Sequence, residues 1–228
     1  MDSFAKGHIR SYVIRAGRMS AAQKRSYELL FPSYAIKSNE CGIFSTSENF
    51  LNENPLVIEI GFGMGRATAV IAEQNPRINY LGIEVHKPGI GRLLWEIEKR
   101  NLNNIRIAEG DASDFIKDKI LDHTVSGFHI FFPDPWPKKR HYKRRLVTRP
   151  FTDMLASKLI FGGYIYMVSD WFDYAEWALG ELGNTKGLKN KYSDFSPPQS
   201  WRPKTEFEQK GLKKNHVIKE LFFLHNEE

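Results

Sequence analysis

Five short segments of this chain end in residues able to do chemistry. Gly61, Gly63 and Gly65 form a GxGxG loop directly after the apolar run Leu56–Ile60. Glu84 follows 23 residues after Gly61, Asp111 follows Ile105–Gly110, Asp134 stands between Pro133 and Pro135, and Asp170 follows Gly163–Ser169. A glycine loop lets backbone approach a ligand, and an acid about 20 residues on can accept from ribose hydroxyls. The dinucleotide fingerprint needs a third glycine at position 66, where this chain has Arg66. Glu59, just ahead of the loop, would repel a pyrophosphate and welcome an amine. S-adenosylmethionine has an amine, a sulfonium cation and no phosphate, so it is favoured over NAD. Asp111 could then accept from the adenine amino group. Helix-cap or first-turn roles for Glu84 and Asp111 stay open at this point.

The stretch FFPDPWPKKRHYKRR is the most specific feature. Prolines restrict the backbone and suit a rigid ledge. Asp134 is thereby set at a strand end, Trp136 offers a face for stacking, and the cations after it offer phosphate contacts. Lys138, Lys139, Arg140, Lys143, Arg144, Arg145 and Arg149 occur with no acid among them, and the rest of the chain has 26 Lys and Arg against 27 Asp and Glu. The net +6 therefore resides in one strip, the pattern expected for a polyanionic partner. The bland alternative is a proline turn with a solvated basic tail.

These residues need elements to hold them. Leu56–Ile60, Asn79–Val85, Ile105–Ala108, Gly127–Phe132 and Gly163–Ser169 read as strands. Helices are predicted at 66–74, from Pro88 onward with Leu93, Leu94, Ile97 and Leu102 on one face, at 115–121, at 146–160 and at 172–182. Alternation of this kind predicts a doubly wound, Rossmann-like α/β sandwich with a mostly parallel sheet. The region 184–214 reads mostly as loop, and Val217–His225 reads as a last strand returning antiparallel. Residues 1–50 lack strong periodicity and read as an irregular basic arm, partly flexible, with 51–228 as a single domain.

With 228 residues and 41% hydrophobic content the chain can bury a core without staples. One cysteine excludes an internal disulfide and a multi-cysteine metal site, and fits a reducing compartment. No leader or apolar span is visible, so the expectation is a cytoplasmic protein with no membrane and no metal partner. HExxH, GxSxG and P-loop motifs are absent. Monomer and homodimer both stay open.

Six pieces together resemble the bacterial tRNA (guanine-N7-)-methyltransferases: IEIGFGMGRAT at 58–68, GIEVHKPG at 82–89, EGDA at 109–112, FFPDPWPKKRHYKRRL at 132–146, SDW at 169–171 and RPKTEFEQKG at 202–211. The resemblance implies a class I methyltransferase fold and methyl transfer from S-adenosylmethionine to N7 of a variable-loop guanine, position 46 of the tRNA. It implies cofactor contacts at Glu59, Glu84, Asp111 and Asp134, with Asp134 also catalytic. It implies target-nucleoside contacts at Lys138 and Asp170 and in the Thr205, Glu206, Phe207, Glu208 motif. RNA contacts are implied at Arg140, His141, Tyr142, Lys143, Arg144 and Arg145. Glu206 departs from the family, which usually has a basic residue there. The alternatives are a methyltransferase acting on another RNA or a protein, and a non-catalytic RNA-binding protein.

Overall fold

The computed structural model describes residues 10–13, 17–36, 42–212 and 216–226. Helix α1 (Ala21–Tyr34) opens on a capping box, in which Ser20 and Gln23 bond each other's backbone N–H. It runs into a two-residue strand, β1 (Ala35–Ile36). A short α2 (Thr46–Phe50) precedes the buried strand β2 (Leu56–Ile60). Then come α3 (Arg66–Gln74), β3 (Asn79–Glu84), α4 (Lys87–Arg100), β4 (Ile105–Glu109) and α5 (Ala112–Lys119). Next are β5 (Val125–Phe131), a 3-10 turn over 139–144, α6 (Arg149–Lys158) and β6 (Leu159–Ser169). The chain ends with α7 (Phe172–Gly183), β7 (Leu188–Asn190), α8 (Glu206–Leu212) and β8 (Lys219–His225).

One eight-stranded sheet results, ordered β1-β4-β3-β2-β5-β6-β8-β7. The pairings from β1 to β6 are parallel, and β8 returns antiparallel to β6 and β7. Both faces are covered. Ile58 and Ile60 pack with Ile116, Leu155 and Ala178 from α5, α6 and α7. Val57 packs on the other side with Ala69 and Ile71 of α3 and Leu93 and Leu94 of α4. Burial on both faces explains why the strands read as unbroken apolar runs. Strand order reverses between β2 and β5, which leaves a crevice above their carboxyl ends.

Part of the expected arm belongs to this body. Tyr27 and Phe31 stack at 4.6 Å and pack against the α3–α4 face. Arg25 forks onto Glu98 at 2.8 and 3.1 Å, and Ala35 and Ile36 extend the sheet beside β4. The helix crosses α4 closely, since a Cβ on Gly91 would lie 2.6 Å from the Gln23 carbonyl oxygen. Lys6 and Arg15 of the expected arm lie outside the described residues. Two further elements, β7 and α8, occupy the region read as loop. Leu102, expected on α4, lies just past it in the same apolar cluster, because Asn101 ends the helix in a left-handed conformation.

Helix α4 and the glycine loop meet with no room to spare. A Cβ on Gly89 would stand 1.9 Å from the Gly63 carbonyl oxygen. Gly89→Ala must therefore displace the loop, at a cost of about 1–3 kcal/mol. Gly180→Ala, in α7 with nothing within 4 Å of the added carbon, should instead stabilise by about 0.5–1 kcal/mol. Denaturant unfolding of the two variants should give opposite signs; equal effects would contradict this packing.

Candidate functional site

A cleft of about 380 Å³ opens above the carboxyl ends of β2, β3, β5 and β6. Its wall includes Gly61 and Gly63 from the glycine loop, Glu84, Phe131 through Pro135, Asp170 and Phe207. Ser11, Tyr12 and Val13 close another side. Its acids are Glu84, Asp134 and Asp170, and among the described residues no Lys or Arg lines it. A wall of that sign suits a cationic ligand and opposes a pyrophosphate. S-adenosylmethionine, with sulfonium and ammonium charges, fits this donor set; a dinucleotide does not.

The loop floor is built by Glu84. Its Oε2 accepts from Gly63 N–H at 2.8 Å, and its Oε1 accepts from Val85 and His86 N–H at 2.7 and 3.0 Å. The residue thus fixes the glycine loop while lining the cleft. Asp111 caps α5, with Oδ1 accepting from Ser113 and Asp114 N–H at 2.8 and 3.3 Å. It stands behind the wall formed by Gly110 and Ala112. Tyr12 reaches it from the N-terminal segment, and burial followed by the Asp111 charge pushes that phenol up. Gly65 also lies off the wall, and its role is packing. A Cβ there would meet Leu93 Cβ at 2.6 Å, on a backbone φ of +67°.

Glu59 is turned away from the cleft. Alternation along β2 puts it with Val57, on the side covered by α3 and α4. It is 2% exposed, and its Oε2 has no hydrogen-bond partner among the described residues. Burial, opposed by the nearby Thr68 hydroxyl and reinforced by the Glu84 charge, raises its pKa from 4.5 to about 7. The orphaned oxygen sits at the end of the strand that feeds the glycine loop.

Asp134 lines the cleft from a ledge pinned at several points. Phe132 and Trp136, on either side of Pro133–Pro135, have left-handed φ of 52° and 45°. Such conformations persist where the surroundings hold them. Phe132 N–H bonds the Val168 carbonyl at 2.8 Å, and Trp136 Nε1 donates to the Ser11 carbonyl at 2.9 Å. Arg145 Nε donates to the Pro135 carbonyl at 3.1 Å. Trp136 is therefore not an open stacking face: Arg144 covers it at 4.9 Å and His141 meets its edge.

The basic strip divides by burial. Lys138, Lys139, Arg140 and Lys143 are exposed. Arg145, expected to contact RNA, is 3% exposed. Its guanidinium lies 3.7 Å from the Tyr142 ring centre, near Tyr174 and Trp177, and is ion-paired with Asp173. A guanidinium enclosed in this way holds structure and has no surface to offer a phosphate. Lys138 likewise is not part of the cleft wall.

The Thr205–Glu208 motif also splits. Phe207 is exposed, lines the cleft and stands 5.3 Å from the Phe132 ring. Thr205 Oγ1 accepts from Glu208 N–H at 3.0 Å, and Glu208 pairs with Arg202 at 2.6 and 3.0 Å. Glu208 is 3% exposed, so it and Thr205 brace α8 and are not presented to the cleft. Glu206 falls in α8, and its side chain lies outside the described residues. Sequence reasoning missed Ser11, Tyr12 and Val13 as wall residues, since irregular backbone far along the chain gives no periodic signal. It also missed His216, which bonds Asp170. Among the described residues no group of three or more His, Cys, Asp or Glu could hold a metal, and no helix is long and apolar enough to cross a membrane.

Two outcomes follow from these placements. Arg145→Ala should cost about 2–4 kcal/mol, mostly through the lost aromatic packing and the Pro135 bond, since Asp173 is half exposed. Arg145→Lys should not restore it, because lysine lacks the planar fork. Arg140→Ala should stay within about 0.5 kcal/mol. Denaturation midpoints compare all three, and a neutral Arg145→Ala would sink the assignment. Glu59 gives a pH dependence. The folded state keeps its proton up to about pH 7 and the unfolded state releases it near 4.5. Stability therefore falls as pH rises through that window, and the loss is complete above it. Glu59→Gln should flatten this part of the stability–pH curve, by on the order of 2 kcal/mol between pH 5 and 8. Parallel slopes for the two proteins would mean the carboxyl is not perturbed.

The family model described as "Putative methyltransferase" (Methyltransf_4) matches residues 53–221. A tRNA (guanine-N(7)-)-methyltransferase of Francisella philomiragia is 44% identical over 94% of this chain and 94% of its own length. One of Nitrosomonas eutropha is 45% identical over 94% of this chain and 96% of its own. Among solved structures, the 16S rRNA methyltransferase KamB superposes with a TM-score of 0.57 over 94% of this chain and 99% of that one; at 15% identity this is a likeness of fold. With the fold, the acid-lined cleft and near-full-length relatives in agreement, the chain belongs to the tRNA (guanine-N7-)-methyltransferase family.

Proposed function

We propose that the protein methylates N7 of a tRNA guanine, the variable-loop guanine at position 46, using S-adenosylmethionine held in the cleft. The observation that carries this reading is the arrangement around the ledge. Asp134 faces an acid-walled cleft, and an exposed cationic strip begins only four residues later at Lys138. A cationic donor and a polyanionic substrate thus have adjoining surfaces of the right sign.

S-adenosylmethionine supplies an electrophilic methyl group, and guanine N7 has a free lone pair at neutral pH, so no strong base is required. The protein's work is placement and charge. Glu84, by fixing the glycine loop, and Asp111 with Tyr12 would hold the adenosyl part of the donor. Asp134 and Asp170 offset the positive charge that the purine acquires as N7 is alkylated, or accept from its N–H edge. Phe207, with Phe132 behind it, offers an aromatic face to the extruded base. Lys138, Lys139, Arg140 and Lys143 hold phosphates, with His141, Tyr142 and Arg144 beside them. Thr205 and Glu208 act through the placement of Phe207. Glu59, buried behind the glycine loop, would act on the donor only through the placement of that loop. An intracellular tRNA substrate puts the protein in the cytoplasm.

The test is incubation with labelled S-adenosylmethionine and unmodified tRNA, followed by nucleoside analysis. Label in 7-methylguanine is expected. Its absence with every tRNA pool, although the donor binds by calorimetry, would favour a different methyl acceptor; failure to bind the donor would favour a non-catalytic RNA-binding protein. Asp134→Asn should lower kcat by about 100-fold while the fold survives, and wild-type turnover from it would remove its role.

A further inference from the structure

His216 is outside every motif that points to the cleft, and it touches one of the cleft's acids. Its Nδ1 lies 2.9 Å from Asp170 Oδ2. The pair stands at a junction of three elements, with Asp170 in the wall and His216 behind it. Asp170 follows β6, and its side chain is 14% exposed. His216 leads into β8, and its N–H donates to the Gly211 carbonyl at 3.1 Å, at the end of α8. Gly211 packs against both partners: a Cβ there would lie 3.7 Å from Asp170 Oδ2 and 3.7 Å from His216 Cβ. Asp170 itself lines the cleft, as does Phe207 on the same α8.

The contact has a defined chemical sense. An ionised carboxylate can only accept, so the imidazole must carry its proton on Nδ1. That bond engages Oδ2, and among the described residues no donor reaches Oδ1. A carboxylate with one oxygen tethered has a fixed plane, and the other oxygen is directed instead of sampled. Guanine presents N1–H and an exocyclic amino group, and both become better donors as N7 acquires positive charge. An acceptor fixed beforehand gains strength in the transition state.

We propose that His216 is a positioning residue for methyl transfer: it tethers Asp170 through Oδ2 so that Oδ1 accepts from the N–H edge of the target guanine. The inference rests on the guanine N7 reading. It assigns the histidine no proton transfer, because the reaction needs none. The neutral ring suffices, and protonation on Nε2 leaves the Nδ1–H donor in place. By also bonding the end of α8, His216 ties the carboxylate and the aromatic face of Phe207 into one wall.

The test uses the full-length protein and its tRNA, with activity of the wild type measured first, so that failure of the guanine reading appears there and not in the variants. Asparagine places an amide donor near the Nδ1 position, whereas glutamine places it near Nε2, and phenylalanine keeps the ring and removes the donor. His216→Asn should keep kcat within about threefold, while His216→Gln and His216→Phe should lose on the order of 10- to 100-fold, the range expected for one charge-assisted bond. Donor affinity by calorimetry should be unchanged in all three. His216→Phe added to Asp170→Ala should cause no further loss, since the histidine would have nothing left to orient. A purely structural role would instead lower all three variants together, or deepen the Asp170→Ala defect, and either result overturns the proposal. So would wild-type kcat from His216→Phe.

Discussion

The bond from the buried Arg145 guanidinium to the Pro135 carbonyl is the constraint on which the cleft depends. A ledge with left-handed residues at both ends is not a conformation its own backbone prefers. Prolines limit the alternatives but do not select the observed one. Arg145 selects it, because its position is set by Tyr142, Tyr174 and Trp177 before it meets Pro135. The same guanidinium holds Asp173 in the first turn of α7, three residues beyond Asp170. One side chain therefore ties the loop after β5, which carries Asp134, to the loop after β6, which carries Asp170. The spacing of two acids across the cleft is set by a cation that touches neither.

Separation of charge is the second organising fact. Acids line the cleft and cations sit outside it, although the two lie within a few residues of each other along the chain. Gathering carboxylates without counter-ions is unfavourable, and the protein limits the cost by giving Glu84 three backbone N–H donors and Asp111 two. Among the described residues Glu59 has no backbone donor on its buried Oε2, and burial, only partly offset by the Thr68 hydroxyl, raises its pKa. A ligand bringing positive charge relieves the repulsion among the cleft acids, which is a source of selectivity for a sulfonium donor over a phosphate-bearing one.

Much of this was legible in the residues. Buried parallel strands read as apolar runs, and each is followed by its functional residue, so strand positions and the acids at their ends could be read together. What escaped was decided by contacts distant in sequence. Helix α1 carries its S-x-x-Q capping signal at Ser20 and Gln23, but its burial comes from meeting α4 some 70 residues later, and periodicity within 1–50 is weak. Strand β1 has only two residues and no pattern to display. Arg145 read as one more cation because the tyrosines and tryptophan that enclose it, Tyr142 excepted, come from α7.

The Thr205–Glu208 motif makes the same point within four residues. T-x-x-E is the spacing of a helix-capping box, and Thr205 and Glu208 use it in that sense, with Glu208 also drawn inward by Arg202. Arg202 is held in turn by Glu220 of β8 and by Tyr166 of β6. A helix of seven residues has little stability of its own, so this buried ion cluster fixes where Phe207 stands. Residues adjacent in a motif thus divide between touching a ligand and placing the one that does, and burial, which the motif does not encode, assigns each its part.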